Sequence, residues 1–140
     1  MVTIWEYRDN DIERITKSDR IERFHKNKKL IAYTVSITDY HPNGSIKMTL
    51  TADQMIIEET KKINTAIGNV IVTRDDNILR TEKLVWNQQN DNISSPVEVI
   101  IVRGNNILRG SELSSNIDFS FVELNKVTAE GQFDEEDFDW

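Results

Sequence analysis

Cysteine is absent from the 140-residue sequence, which rules out disulfides, thiolate nucleophiles and zinc–thiolate sites. The compartment stays open on that count, because many exported proteins do without disulfides. Histidine is nearly absent too: His25 lies in a charged stretch and His41 in a turn, so a triad or metal cluster would need both in one place. No stretch approaches the ~18 apolar residues that span a bilayer, and the opening MVTIWEYRDND is no signal peptide. Nothing forms a basic stripe, so nucleic acid is not an expected partner. No GxSxG, P-loop, GxGxxG or HExxH motif occurs. No enzyme, cofactor or metal is expected.

Leucine and alanine are also scarce, 11 residues together, against 39 of isoleucine, valine and threonine. β-Branched side chains suit a pleated surface, whereas Leu and Ala are the strong helix formers. Strand is the default reading from about residue 30. A chain of this length is one domain and buries roughly two-thirds of its unfolded surface, enough for a core without staples.

The net charge of −7 is unevenly placed. Glu130, Asp134, Glu135, Glu136, Asp137 and Asp139 crowd the C-terminus with no base among them. Residues 131–140 read as an acidic tail; they lack the alternating ligands and glycine of a calcium loop. Phe133, Phe138 and Trp140 add an aromatic element that leaves docking onto a partner open. Residues 1–29 are charged, and Ile12, Ile15 and Phe24 give an incomplete apolar stripe, read as a short helix or arm.

Leu30 to Thr38 alternates, with Tyr33, Val35 and Ile37 on one face. His41-Pro42-Asn43-Gly44 marks a turn, and Ile46, Met48 and Leu50 resume the alternation. From Leu50 the sequence repeats. Leu50, Ala52, Met55 and Ile57 recur as Leu79, Thr81, Leu84 and Trp86, then as Leu108, Gly110, Leu113 and Ser115, each step 29 residues. Within each unit the two pairs have opposite parity, so one strand cannot keep both on one face without a bulge or corner between them. The predicted corners are Asp53-Gln54, Glu82-Lys83 and Ser111-Glu112.

Second halves follow at Val70-Ile71-Val72, at Val97 to Val102, and at Phe119, Phe121, Leu124 and Val127, with polar turns between. Units this short cannot bury an apolar face alone; stacked, they share an interior and leave two open edges. A sandwich, jelly roll or short solenoid fits. Inward-facing apolar residues admit two readings, a dry core or a groove for acyl chains, and composition does not choose between them. The carboxylate pairs Glu58-Glu59 and Asp75-Asp76 fall in turns, where acids are ordinary.

The words Leu50-Thr51-Ala52-Asp53, Gly68-Asn69-Val70-Ile71-Val72 and Leu79-Arg80-Thr81-Glu82-Lys83-Leu84-Val85-Trp86 resemble the periplasmic lipopolysaccharide-export proteins with the OstA-like β-jelly-roll. Ile93-Ser94-Ser95-Pro96-Val97, Leu108-Arg109-Gly110, and Leu113 with Asp118-Phe119 look specifically like the LptC family, over residues 30–130. The Tyr40 to Gly44 turn also resembles the start of that domain. The resemblance implies an all-β, twisted jelly roll whose interior holds lipopolysaccharide acyl chains. It implies a non-enzymatic carrier that takes lipid from an inner-membrane LptB-LptF-LptG-type transporter at its N-terminal edge. An LptA-like protein would receive the lipid at the C-terminal edge by strand addition. The family has an N-terminal transmembrane helix that this sequence lacks, so a tether upstream of Met1 is the expectation.

Lining candidates are Leu50, Met55, Ile57, Val70, Val72, Leu84, Trp86, Val97, Val99, Ile101, Leu108, Gly110, Leu113, Phe119 and Phe121. Tyr33, Val35 and Ile37 at one end, and Leu124 and Val127 at the other, are the partner-edge candidates. The alternatives are an LptA-like soluble bridge and a structural β-solenoid with no ligand.

Overall fold

β-Branched runs separated by short Asn-, Asp- and Lys-containing turns fold into strands that pair with their sequence neighbours. A computed structural model describes residues 1–116 and 121–130, and these form one antiparallel sheet. Its strands are β1 (Val2–Arg8), β2 (Asp11–Ser18), β3 (Arg20–Phe24), β4 (Lys29–Tyr40) and β5 (Ile46–Glu58). They continue as β6 (Ile63–Arg74), β7 (Asn77–Asn87), β8 (Asn92–Arg103), β9 (Asn106–Asn116) and β10 (Val122–Glu130). The order is β1-β2-β4-β5-β6-β7-β8-β9-β10, with β3 also paired to β4. This is the all-β architecture expected from the repeat, and the jelly roll that the resemblance implies. The acidic tail and Phe119 lie outside the described residues.

A crease crosses the sheet. Register slips between Thr51 and Gln54, Ile67 and Val70, Thr81 and Val85, and Ser95 and Glu98 fall on consecutive strand pairs. Left-handed backbone at Thr34, Gly68, Asn69 and Glu112 marks the same line. Two of the expected corners, Asp53-Gln54 and Glu82-Lys83, lie at these slips, and Glu112 carries the positive φ of the third. Because the chain turns there, Leu50 and Ala52 on one side of the crease and Met55 on the other all enter one buried cluster. Parity flips in β5, and the interior stays continuous.

The crease is held by side chains placed for it. Asn69 Nδ2 donates to Asp53 Oδ2 (3.1 Å), and the Asn69 amide donates to Glu82 Oε2 (3.2 Å). Thr81 Oγ1 donates to the Glu98 carbonyl (2.9 Å) and lies 3.1 Å from Ser95 Oγ, both hydroxyls buried. The bonds to the Asn69 amide and the Glu98 carbonyl satisfy backbone groups that the slipped ladder leaves unpaired. Gly68 combines a φ of +83° with a close neighbour: a Cβ there would sit 2.6 Å from Asp53 Oδ2. Glycine is the residue that fits.

Residues 1–29 are neither a helix nor a separate arm. β2 pairs with Ser36–Asp39 and β3 with Lys29–Tyr33, so they are two halves of one run along β4, broken at Ser18-Asp19. Ser18, 1% exposed, and the Asp19 amide both donate to the Tyr33 carbonyl (2.7 and 2.9 Å) at that break. The reason for the misreading is physical. The β2 positions on the core side are Arg14, Thr16 and Ser18, while Ile12 and Phe24 are exposed, so the apolar residues there trace no buried stripe. The boundary expected at residue 30 therefore has no counterpart in the sheet.

Candidate lipid-binding interior and sheet edges

Cross-strand register aligns the inward side chains in rows. On one side of the crease a row runs Ile37, Leu50, Val72, Leu79, Ile101 and Leu108. On the other, a row runs Leu30, Ile57, Asn64, Trp86, Ile93 and Ser115, reaching Val122 on β10. Between these rows and the crease lie Ala32, Val35, Ala52, Met55, Ala66, Val70, Leu84, Val99 and Leu113, all buried. Most of these rows are aliphatic, and together they form one cluster.

Among the lining candidates, Leu50, Met55, Val70, Val72, Leu84, Val99, Ile101 and Leu113 are buried in that cluster, with Ile57, Trp86 and Leu108 packed against it. Gly110 is buried at the crease, and a Cβ there would sit 2.8 Å from Leu124 Cδ2 and 3.0 Å from the Asn125 carbonyl. The close approach of β10 requires its lack of a side chain. Two candidates do not line the interior. Val97, 37% exposed, sits where β8 leaves the ladder between Ser95 and Glu98; Phe121, 61% exposed, precedes β10 outside the cluster.

One edge assignment also changes. Tyr33, Val35 and Ile37 belong to β4, which is paired on both flanks, and Val35 and Ile37 are core residues. Tyr33 faces outward beneath the Arg20 guanidinium, 4.4 Å from its ring centroid. The N-terminal edge is instead shared by β1 and β3, one on each side of the crease. Ile4, Trp5, Tyr7 and Phe24 are exposed on these strands. At the other end of the strand order is β10, which carries Leu124, packed on the core, and Val127, exposed.

Sequence reasoning passed over a polar group at the rim of the interior. Arg14 donates twice to Asp39, from Nε to Oδ1 (2.6 Å) and from Nη2 to Oδ2 (3.0 Å). Its guanidinium also lies over the Trp86 ring, 5.4 Å from the centroid. Arg14 and Trp86 come from opposite sides of the crease, so this contact spans the interior. The hydrogen bonds and charge of Asp39 outweigh burial and raise the Arg14 pKa above its already high value, fixing the cation. Polar atoms are left over: Asn64 Oδ1 and Trp86 Nε1, on facing residues of β6 and β7, and Asn77 Oδ1 at the β6–β7 turn are buried without hydrogen-bond partners. The visible signal is the alternation Arg14-Thr16-Ser18, obscured because its inner face is polar while Ile15 lies on the other face.

His25 and His41 are exposed in separate turns, and among the described residues no group of three or more His, Asp or Glu is placed to hold a metal. Among the described residues no helix is long and apolar enough to cross a membrane.

Comparison with curated proteins finds no significant sequence match. Among solved structures, the chain resembles the crystal structure of LptH, the LptA-homologous periplasmic component of the lipopolysaccharide transport device of Pseudomonas aeruginosa. The TM-score is 0.66 at 10% identity, covering 85% of this chain and 94% of that one. That likeness fixes the fold. The family model described as lipopolysaccharide-assembly, LptC-related, matches residues 6–130, β2 and β3 included. The chain belongs to the LptC-related family of lipopolysaccharide-assembly proteins.

Proposed function

We propose that this protein is a non-enzymatic link in lipopolysaccharide transport, holding acyl chains against the inward rows of the creased sheet. Lipid enters from an inner-membrane LptB-LptF-LptG-type transporter at the β1/β3 edge and leaves to an LptA-like protein at β10. A helix upstream of Met1 tethers it to the inner membrane. The observation that supports this reading is the buried apolar cluster that extends from β4 to β9, with family membership beside it. Burial of hydrocarbon is worth roughly 0.8 kcal/mol per methylene, so a chain of about twelve carbons has about 10 kcal/mol of gross driving force. Exposed backbone at both terminal strands supports the edge roles, since an unpaired ladder is a template for another strand.

Methyl-labelled protein titrated with lipopolysaccharide is expected to show shifts at Leu84, Val99 and Leu113. Shifts confined to exposed Val97 and Val127, with the interior methyls unmoved, reject the carrier reading in favour of a ligand-free structural module.

A further inference from the structure

The inward row Leu30, Ile57, Asn64, Trp86, Ile93, Ser115 carries a polar step between Ile57 and Ile93 and a serine at its far end. Ser115 is already satisfied, donating to the Asn116 carbonyl (2.8 Å). Asn64 and Trp86 are not. They are direct cross-strand partners on one face, which sets their Cβ atoms about 5 Å apart. Asn64 Oδ1 is a buried acceptor and Trp86 Nε1 a buried donor, each without a partner and so not bonded to each other. A plain hydrocarbon over this pair would leave both atoms stranded, and stranded buried polar groups are costly.

We propose that Asn64 and Trp86 form a specificity subsite for an acyl chain that carries a group able to donate and accept at once, a hydroxyl or an amide. A single hydroxyl meets both needs: it donates to Asn64 Oδ1 and accepts from Trp86 Nε1. An amide does the same with its N–H and C=O. The position suits such a chain, because the Arg14 guanidinium stacks on the same indole. Charge at the rim, one neutral donor–acceptor pair just inside, then hydrocarbon is the polarity order of an amphiphile substituted close to its head. This inference rests on the carrier reading and adds to it a discrimination between chains of equal length.

Calorimetry with 3-hydroxytetradecanoate and tetradecanoate tests it on the whole protein. The native protein is expected to bind the hydroxylated chain about tenfold more tightly, the scale of one well-placed hydrogen-bonding pair. Trp86→Phe, which keeps the ring and removes the donor, and Asn64→Leu are each expected to bring the ratio of the two dissociation constants close to one. Binding of both chains with equal affinity by the native protein overturns the subsite and leaves the carrier standing. So does a ratio that survives both substitutions, even where they lower stability, because the pair is then only structural. Binding of neither chain defeats the carrier reading, and the subsite with it.

Discussion

Gly68→Ala is expected to destabilise the fold by about 1.5–3 kcal/mol, through two separable causes. The backbone there has φ of +83°, a region that costs an L-residue about 1–2 kcal/mol. The new methyl would also sit 2.6 Å from Asp53 Oδ2 and 3.0 Å from Asp53 Cβ, so the carboxylate must turn away. Turning it breaks the 3.1 Å bond from Asn69 Nδ2, an exposed contact worth about 0.5–1 kcal/mol. Urea denaturation followed by far-UV circular dichroism measures the total. Asp53→Ala alone is expected to cost no more than about 1 kcal/mol. In the double variant the bond from Asn69 is lost only once, so the combined loss falls below the sum of the two and approaches that of Gly68→Ala alone. A loss for Gly68→Ala below about 0.5 kcal/mol, or strict additivity in the cycle, refutes the crease geometry that makes the interior continuous.

Leu79→Ala removes a side chain with 0% exposure from the middle of an inward row and is expected to cost about 3–5 kcal/mol by thermal or urea unfolding. Gly110→Ala forces β10 off β9, and hydrogen exchange is expected to accelerate in Val122–Glu130 while β5 to β8 keep their protection. Asp39→Ala leaves the half-buried Arg14 guanidinium without its carboxylate; a loss of about 1–3 kcal/mol is expected, larger than for Arg14 and Asp39 replaced together. Equal losses for the single and double variants contradict that pairing.

The parts of this fold legible in the sequence are those where local chemistry and register agree. Asn43-Gly44, Asp75-Asp76 and Gly104-Asn105 punctuate the chain where the strands turn, and the parity conflict between Leu50-Ala52 and Met55-Ile57 located a corner before any coordinates. Val97 was misplaced because β8 carries two residues across the crease where its partner β9 carries one. Counting parity forward from Val99 cannot reveal that. β1 to β3 were missed for a different reason: the inward face of β2 is Arg14, Thr16 and Ser18, and an amphipathic pattern is invisible when its inner face is polar. Arg14, Asp39 and Trp86 lie far apart in sequence; pairing of β2 with β4 sets Arg14 opposite Asp39, and only the folding of the sheet about its crease brings Trp86 to them. The pairing of Asn64 with Trp86 likewise depends on the register slip between Ile67 and Val70, where Gly68 and Asn69 take left-handed backbone.

The central claim is that acyl chains occupy the inward rows. A photo-crosslinking residue placed singly at Ile57, Trp86 or Lys62, in cells actively exporting lipopolysaccharide, tests it most directly. Ile57 and Trp86 face the interior, whereas Lys62 is exposed in the turn between β5 and β6. Lipopolysaccharide adducts are expected at Ile57 and Trp86 and none at Lys62. Adducts at Lys62 with none at the two interior positions contradict that claim.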